Sequence, residues 1–553
     1  METSVSEMSS IIRRATPDDA VPWIDLLLAS MGGDYVAREI YDPAWVASQL
    51  ETGSGNETWV VDAGDRLLAA ASILPPTWPS LNPICNIGRV LIREEAHEDG
   101  AALGLFDKLR GLAEQRNQTI VTRVTAADNA QQLLLEQLGF VCAGYQPIKH
   151  LVGSRAAMLF YTRPTRTLLG ERLPVSESLS QISELSITVL MLMGVPPPNL
   201  IRDGVTGYSL TSDAIKPEEV GFEGYKFCRV QLRQKNPAVE ISGGFHLGFG
   251  LMRVEAAASI RALLARINER TEAGLAFYFD EHDRCVRLVD SFCVDDASIG
   301  GLLQHAVHIA QETFQAVYVE VDILVNAPRM LKTAEQIGFV PVAYLPAFYS
   351  HNGRCEDVIK MVKMNVPYDF EGGQFTTQAN TIAAVVDRSF EDMKIGMAVV
   401  GLLRGLPIFQ NLGDGELRKM ARLFQQRLYR PGETIFSRNQ PGEEAFVVMR
   451  GEVDIRLDET SGPVATLGPG KILGELAFLD GAPRTAKAVA KQASILLVLH
   501  RDAFSRLIAS EPHLGMIVMR NIAVDLSAKL RQTNGTLSAR RGSFGPPTTP
   551  PAR

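Results

Sequence analysis

Cysteine is scarce in this chain: six among 553 residues (Cys85, Cys142, Cys228, Cys285, Cys293, Cys355), with no Cys-x-x-Cys pair. That scarcity excludes a disulfide framework and a thiolate zinc site, and it predicts reduced thiols in a cytoplasm. The nine histidines show no ligand spacing either; His305 and His308 lie one helical turn apart without a third donor, so no metal is expected. Long apolar runs are missing. The most apolar stretch, Ile187 to Val195, stops at Pro196-Pro197-Pro198, short of the roughly 20 residues that a spanning helix requires, so no membrane partner is expected. An excess of basic charge is missing too: 55 Lys+Arg face 63 Asp+Glu, a net charge of −8, which argues against a dedicated nucleic-acid face. The first ten residues are polar and include Glu2 and Glu7, so no signal peptide is expected.

What is present is enough hydrophobic residue (46%) for real cores and enough length for three or four domains. From about Ile11 to Pro164 helical and strand patterns alternate: a helix begins after Asp18-Asp19, a hairpin spans Trp59 to Ile73, and a helix runs from Ala101 to Gln115. A strand at Ile120–Val124 and a helix from Ala130 to Leu138 follow, before Gly139-Phe140. Residues 165–273 form an intervening α+β module with an apolar helix (Ile182 to Met193) and a Gly-rich strand region near Ile241. Residues 274–364 repeat the order of the first segment. Leu138-Gly139-Phe140-Val141 matches Ile337-Gly338-Phe339-Val340, and Gly144-Tyr145-Gln146-Pro147 matches Ala343-Tyr344-Leu345-Pro346, which indicates an internal duplication. Residues 365–399 are a helical connector, and 400–533 are rich in strands with Gly-bearing turns, as a small barrel or jelly roll requires. Residues 534–553 are Ser, Gly and Pro-rich, which predicts a disordered tail.

The most specific chemistry lies between Gly470 and Ala486. A helical turn over Gly474-Glu475-Leu476-Ala477 presents free backbone N–H groups to an anion. Glu475 can accept from a ribose hydroxyl, Arg484 supplies a guanidinium fork for two phosphate oxygens, and Thr485 adds a hydroxyl beside Ala486. Gly468-Pro469-Gly470-Lys471 lacks the flanking glycine spacing and the Ser/Thr of a P-loop and reads as a turn.

These residues, with Pro431-Gly432-Glu433 and Gly442-Glu443-Glu444-Ala445-Phe446 upstream, resemble the cyclic-nucleotide-binding domain over about residues 400–535. The resemblance implies cAMP or cGMP as a regulatory ligand, with cAMP preferred. Thr485 can serve the phosphate or favour guanine, and Thr533 and Asn534, after a helix from Leu514, stand where that family caps the purine. The helix-turn-helix of the family's transcription factors has no counterpart here, so DNA binding through this domain is not expected.

The first segment resembles the GNAT N-acetyltransferases through Ile12-Arg13-Arg14-Ala15-Thr16-Pro17-Asp18-Asp19-Ala20 and Leu138-Gly139-Phe140. That resemblance implies an acetyl-CoA site: Val90, Leu91 and Ile92 on the central strand, a pyrophosphate loop at His97, Gly100 and Ala102, and Asn129 near the cofactor. Glu98 and Asp99 put acidic charge where a pyrophosphate is expected. The family's Tyr general acid is replaced by Leu135, and by Ala334 in the second copy, so no catalytic residue is assigned. The second copy carries Asp295-Asp296 in place of the loop and reads as a degenerate lobe.

The fold class expected is multidomain α+β: two GNAT-like α/β lobes, then a barrel or jelly-roll nucleotide domain with flanking helices. Two functions follow. One is a cyclic-nucleotide-regulated N-acetyltransferase that acts on an amine, with protein lysine as the natural acceptor; the other is a non-catalytic sensor or scaffold. Oligomeric state is not legible.

Overall fold

The computed structural model describes residues 10–531, except 34, 36, 75–83, 99, 128, 153, 176, 199, 202–204, 211–216, 233–237, 242–259, 268–269, 295–297, 352, 368–372, 459–461, 525–526 and 528–530. The chain divides into two compact units, residues 1–390 and 391–553.

One continuous sheet of fourteen strands organises the first unit. In chain order the first seven are β1 (Ile11–Arg14), β2 (Glu57–Asp62), β3 (Leu67–Leu74), β4 (Ile84–Ile92), β5 (Thr119–Thr125), β6 (Val141–Val152) and β7 (Ser154–Arg163). The second seven are β8 (Pro217–Gly221), β9 (Arg261–Ile267), β10 (Arg270–Asp280), β11 (Cys285–Cys293), β12 (Tyr318–Leu324), β13 (Val340–His351) and β14 (Arg354–Met364). Their spatial order is β1-β2-β3-β4-β5-β7-β6-β13-β14-β12-β11-β10-β9-β8, so each strand in the first half has its counterpart seven strands later. Each half holds one parallel pair, and both pairings run for four residues: Ile84↔Thr119 to Ile87↔Thr122, and Cys285↔Tyr318 to Leu288↔Val321.

The halves meet where β6 pairs with β13 at Gly144↔Ala343, two residues that are counterparts in the duplicated motif. A pairing of equivalent residues lies on a pseudo-two-fold axis. Approach there is close enough that a Cβ on Gly144 would fall 2.2 Å from that of Ala343, so the position requires glycine.

Helices, two of which (Pro43–Leu50 and Phe222–Gln231) the sequence reading left out, accompany the sheet. They are α1 (Ala20–Met31), α2 (Pro43–Leu50), α3 (Ala101–Gln115), α4 (Ala130–Gln137), α5 (Ser180–Leu192), α6 (Phe222–Gln231), α7 (Ile299–Glu312) and α8 (Pro328–Ile337). Trp23, Leu26 and Leu27 of α1 and Leu105, Phe106 and Leu109 of α3 recur at helical spacing and are all buried. Helix α9 (Thr377–Arg404) leads out of this unit. The sheet brings residues 217–221 and 261–267, read from sequence as an intervening module, into the second half. Strand β8 is an edge of sequence PEEVG with only partial burial, so it carries none of the apolar alternation by which strands are recognised.

Among the described residues the second unit holds eight strands: β15 (Phe424–Tyr429), β16 (Thr434–Phe436), β17 (Glu444–Arg450), β18 (Val453–Arg456), β19 (Ala465–Leu467), β20 (Ile472–Leu473), β21 (Lys487–Ala490) and β22 (Ser494–His500). They form two four-stranded sheets, β15-β22-β17-β20 and β16-β21-β18-β19. Helices α10 (Asp414–Ala421), α11 (Glu475–Asp480), α12 (Arg501–Ser510) and α13 (512–524) accompany them. Alternation along β17 and β22 separates two cores. Phe446, Val448, Leu496 and Val498 face the barrel interior with Tyr429 and Phe436, while Ala445, Val447, Leu497 and Leu499 pack with Leu403, Phe409, Phe478, Phe504 and Val518 of the helical layer.

Candidate functional site

A cavity of about 400 Å³ opens in the second unit, within the size range of small-molecule sites. Its wall combines Leu406, Pro407, Ile408, Phe436, Ile455 and Leu467 with the stretch Gly470–Ala477 and with Arg484, Thr485 and Ala486. The turn Gly468–Lys471 lies between β19 and β20 and takes Gly470 to φ +76°. Helix α11 then starts at Gly474, whose φ of +77° admits glycine readily and an L side chain poorly. First-turn amides of a helix lack intrahelical acceptors, and here Glu475, Leu476 and Ala477 belong to the cavity wall.

Arg484 is the decisive side chain. It is 4% exposed, its Nη1 donates to the Gly474 carbonyl at 2.8 Å, and its Nη2 donates to the Glu444 carbonyl at 2.6 Å. The guanidinium lies 4.4 Å from the ring centroid of Phe436 and 5.7 Å from that of Phe446. It makes no ion pair among the described residues, and its buried Nε has no hydrogen-bond partner. Burial, the largest influence, holds its pKa below the usual arginine value; Arg501 acts in the same direction, and Glu444 and Glu475 act against it. Arginine keeps its proton in proteins, so this is a buried cation that forms no ion pair among the described residues. Such a charge is costly until an anion arrives.

One of the two carboxylates that act on Arg484 is already engaged. Glu444 pairs with Arg427, with one contact at 3.1 Å, and lies 3.3 Å from Nε2 of His500. Helix α11 is itself clamped from behind. Arg501 Nε donates to Phe478 O at 2.7 Å, its Nη2 donates to Gly442 O at 2.6 Å, and the same guanidinium reaches Ala477 O. A Cβ on Gly442 would lie 2.2 Å from that of Ala477, so the helix has no room to retreat on that side.

Gly474, Glu475, Leu476, Ala477, Arg484, Thr485 and Ala486 all line this one cavity. Thr533 and Asn534 lie outside the described residues. Phe436 and the Arg501 clamp were not read from sequence, whereas Phe446 and Leu406–Ile408 belong to stretches that carry the resemblance but were given no place in the site. The two phenylalanines carry a signal in retrospect, since both follow the Gly-bearing turns already singled out.

In the first unit, Val90, Leu91 and Ile92 are the buried end of β4. His97 lies in the single turn Glu95–Glu98, Gly100 (φ +78°) precedes α3, and Ala102 is buried in its first turn. Asn129 immediately precedes α4 at the end of the β5 connection. The topology thus sets these residues at the C-terminal ends of the two parallel strands. Pairing between β4 and β5 stops at Ile87↔Thr122 although both strands continue, and among the described residues no backbone bridge enters between them beyond that point. The matching space in the second half is occupied by the chain itself. Ala238 and Cys293 exchange backbone hydrogen bonds of 3.0 and 3.1 Å, and Leu324 donates to Glu240 O at 2.9 Å. Leu135 and Ala334, at the general-acid position, are fully buried. Asp99, Asp128, Asp295 and Asp296 lie outside the described residues. Arg89, which sequence reading passed over, sits in β4 at φ +52°, 4% exposed, with Nη2 donating to Gln49 at 2.8 Å. No His/Cys/Asp/Glu group able to hold a metal occurs among the described residues, and none of their helices is long and apolar enough to cross a membrane.

The family model for the cyclic nucleotide-binding domain matches residues 426–511. The chain is 33% identical over 135 residues to the cyclic AMP receptor protein of Thermus thermophilus, covering 24% of this chain and 61% of that protein. It is 33% identical over 108 residues to a cAMP-dependent protein kinase regulatory subunit of Yarrowia lipolytica (20% and 29%). It is 35% identical over 116 residues to a cyclic nucleotide-gated potassium channel of Mesorhizobium japonicum (21% and 32%). The chain thus spans less than two thirds of these curated relatives. Residues 426–511 are a cyclic nucleotide-binding domain.

Proposed function

We propose that this chain is a cyclic-nucleotide-responsive regulator, in which the second unit binds cAMP and the duplicated sheet of the first unit is the responding body. The observation that carries this reading is Arg484, a buried guanidinium with an unpartnered Nε at the wall of the cavity. A cyclic phosphate supplies the missing negative charge and accepts from the guanidinium and from the first-turn amides of α11. Glu475 accepts from the ribose hydroxyl, and Leu406, Pro407, Ile455 and Leu467 offer the base an apolar wall. The names of the relatives favour cAMP over cGMP. Calorimetric titration with cAMP and with cGMP tests the reading; absence of heat with both refutes it.

A second reading has one observation in its favour. The parting of β4 from β5, beside Gly100 at the start of α3, leaves a slot that no backbone bridge spans among the described residues, whereas the second half bridges the equivalent strands with residues 238–241. Under the resemblance to GNAT N-acetyltransferases this slot takes acetyl-CoA, and the chain is a cAMP-regulated acyltransferase with a single cofactor site. Titration with acetyl-CoA separates the two readings: one site per chain supports the enzyme, and no binding leaves a sensor with a non-catalytic body.

A further inference from the structure

The two halves of the first unit exchange segments after their last strands. Beyond β7 the chain crosses to the second half, where Leu173 donates to Cys355 O at 2.7 Å and Arg172 Nε donates to Asp357 at 2.7 Å; α5 follows. Beyond β14 it crosses back. Gln374 N donates to Ala126 O at 2.9 Å, Gln132 Nε2 donates to Gln374 O at 2.8 Å, and Thr376 N donates to Gln132 Oε1 at 3.1 Å. The Thr376 hydroxyl donates to Glu136, which also accepts from Tyr161 at 2.9 Å, and Phe375 meets Tyr145 edge-on at 6.1 Å. Gln132 and Thr376 are buried, and a Cβ on Gly373 would fall 2.5 Å from Ala126 O. Residues 373–376 are thus a strap fastened to the end of β5 and the first turns of α4.

Helix α9 follows this strap as α5 follows the other, but the two differ in length. Helix α5 has 13 residues and ends before Gly194, at φ +69°, whereas α9 has 28. The early part of α9 buries Ala379, Ile382, Ala383 and Val386 in the first unit and pairs Arg388 with Glu184 of α5. Its late part contributes Val399, Val400 and Leu403 to the helical core of the second unit. Leu406, Pro407 and Ile408, directly after the helix, are wall residues of the nucleotide cavity.

We propose that α9 and its strap are one transmission element, through which occupancy of the cavity is felt at the end of β5 and the start of α4. The proposal rests on the nucleotide-binding reading above. Leu406–Ile408 follow α9 in the chain, so a ligand that displaces them acts on the same element whose start is fastened by the strap. The side-chain bonds of Gln132 and Glu136 to the strap are the contacts that would differ between two states, and such differential contacts are what coupling requires. Linkage then demands reciprocity: loosening the strap must change nucleotide affinity by the factor with which nucleotide loosens or tightens the strap.

The test uses the full chain. Hydrogen exchange is followed with and without saturating cAMP in peptides covering 119–137 and 370–380, alongside calorimetric affinities for wild type, Gln132→Ala, Thr376→Ala and Thr376→Ser. The expected result is a change of about threefold or more in exchange at 119–137, in either direction. Thr376→Ala and Gln132→Ala should shift the cAMP Kd by about three- to tenfold although neither residue lines the cavity, and Thr376→Ser should restore it. If Gln132→Ala fails to fold, the Thr376 pair still decides. Normal cAMP binding with unchanged exchange at 119–137 and unchanged Kd in the variants overturns the coupling alone. Absence of cAMP and cGMP binding in wild type overturns the sensor reading and this proposal with it.

Discussion

Replacing Arg484 by methionine separates a ligand-binding role from a structural one, because the two make opposite demands on the same side chain. On the ligand side, two charge-assisted hydrogen bonds to a phosphate contribute on the order of 1.5–3 kcal/mol each. Their loss weakens cAMP binding by about 3–6 kcal/mol, or roughly 10²- to 10⁴-fold in Kd. On the folding side the terms oppose one another. The bonds to Gly474 O and Glu444 O and the contacts with Phe436 and Phe446 stabilise the side chain. Against them stands the desolvation of a cation that lacks a carboxylate partner, several kcal/mol for a buried charge.

The melting temperature of the ligand-free variant should therefore move little, by no more than about 4 °C for a unit of this size. Thermal unfolding with and without cAMP reads both sides at once. A ligand at 100 times its Kd stabilises the folded state by about 2.7 kcal/mol. The wild-type second unit should gain roughly 5–10 °C, and Arg484→Met should gain nothing. Arg484→Lys should lie between them, since it keeps the charge and loses the fork. A methionine variant that binds within about fivefold of wild type refutes the assignment. One that melts more than about 10 °C lower shows that the residue is structural.

Gly474→Ala should impair binding with a smaller loss of stability: the residue sits at φ +77°, and its new Cβ would lie 2.4 Å from Arg484 Nη1. A positive φ costs a non-glycine residue about 1–2 kcal/mol, and displacing the guanidinium should raise the cAMP Kd by at least about tenfold; unchanged affinity would contradict the geometry. In the first unit, burial raises the pKa of Asp290 from 3.8 to about 6, against the influence of Arg229 and the Tyr225 hydroxyl. The folded state then keeps this proton to higher pH than the unfolded state, so stability from this group is present below pH 4 and declines as pH rises to 6. The loss is about 1.4 kcal/mol per pH unit, or roughly 3 kcal/mol in all. Denaturant unfolding of wild type and Asp290→Asn between pH 4 and pH 7 should show their difference shifting by that amount in favour of asparagine, and parallel curves would rule it out.

The nucleotide site was legible because its parts are contiguous. Gly474 to Ala477 and Arg484 to Ala486 lie on one loop and helix turn, so types and spacing group them as a candidate anion site without tertiary information. Helices with strong periodicity were equally plain, and α3 runs over the residues expected, Ala101–Gln115. Contributions from distant strands were not visible. Phe436 and Phe446 reach Arg484 only because β16 and β17 lie in facing sheets, and Arg501 meets α11 across a fold-determined gap. The continuous sheet escaped notice for the same reason, since a single backbone pairing at Gly144↔Ala343 joins halves that are separated by about 200 positions in the chain.

The duplication survives in sequence only where the backbone permits no alternative, which explains why its identity is so weak. Gly139 and Gly338 both have positive φ, at +76° and +102°, and end α4 and α8. Pro147 and Pro346 each precede a residue forced to positive φ, Ile148 at +56° and Ala347 at +50°. Elsewhere the interiors have diverged in kind. In the second half Arg287, 1% exposed, is held by Asp280, Asp283 and Glu320 at 2.9–3.1 Å, and Lys360 meets Asp322 at 2.7 Å. By the strand registers, the positions equivalent to Arg287, Glu320 and Lys360 in the first half are Asn86, Val121 and Phe160, which hold no charge. The half that holds this charged cluster is also the half in which residues 238–241 bridge the parted strands. In the first half those three positions are uncharged, although Arg123 stands at the position of Asp322 and Ser72, Thr122 and Gln146 are buried there. The strap of α9 lies on the half without this cluster, which is the half proposed above to respond to ligand.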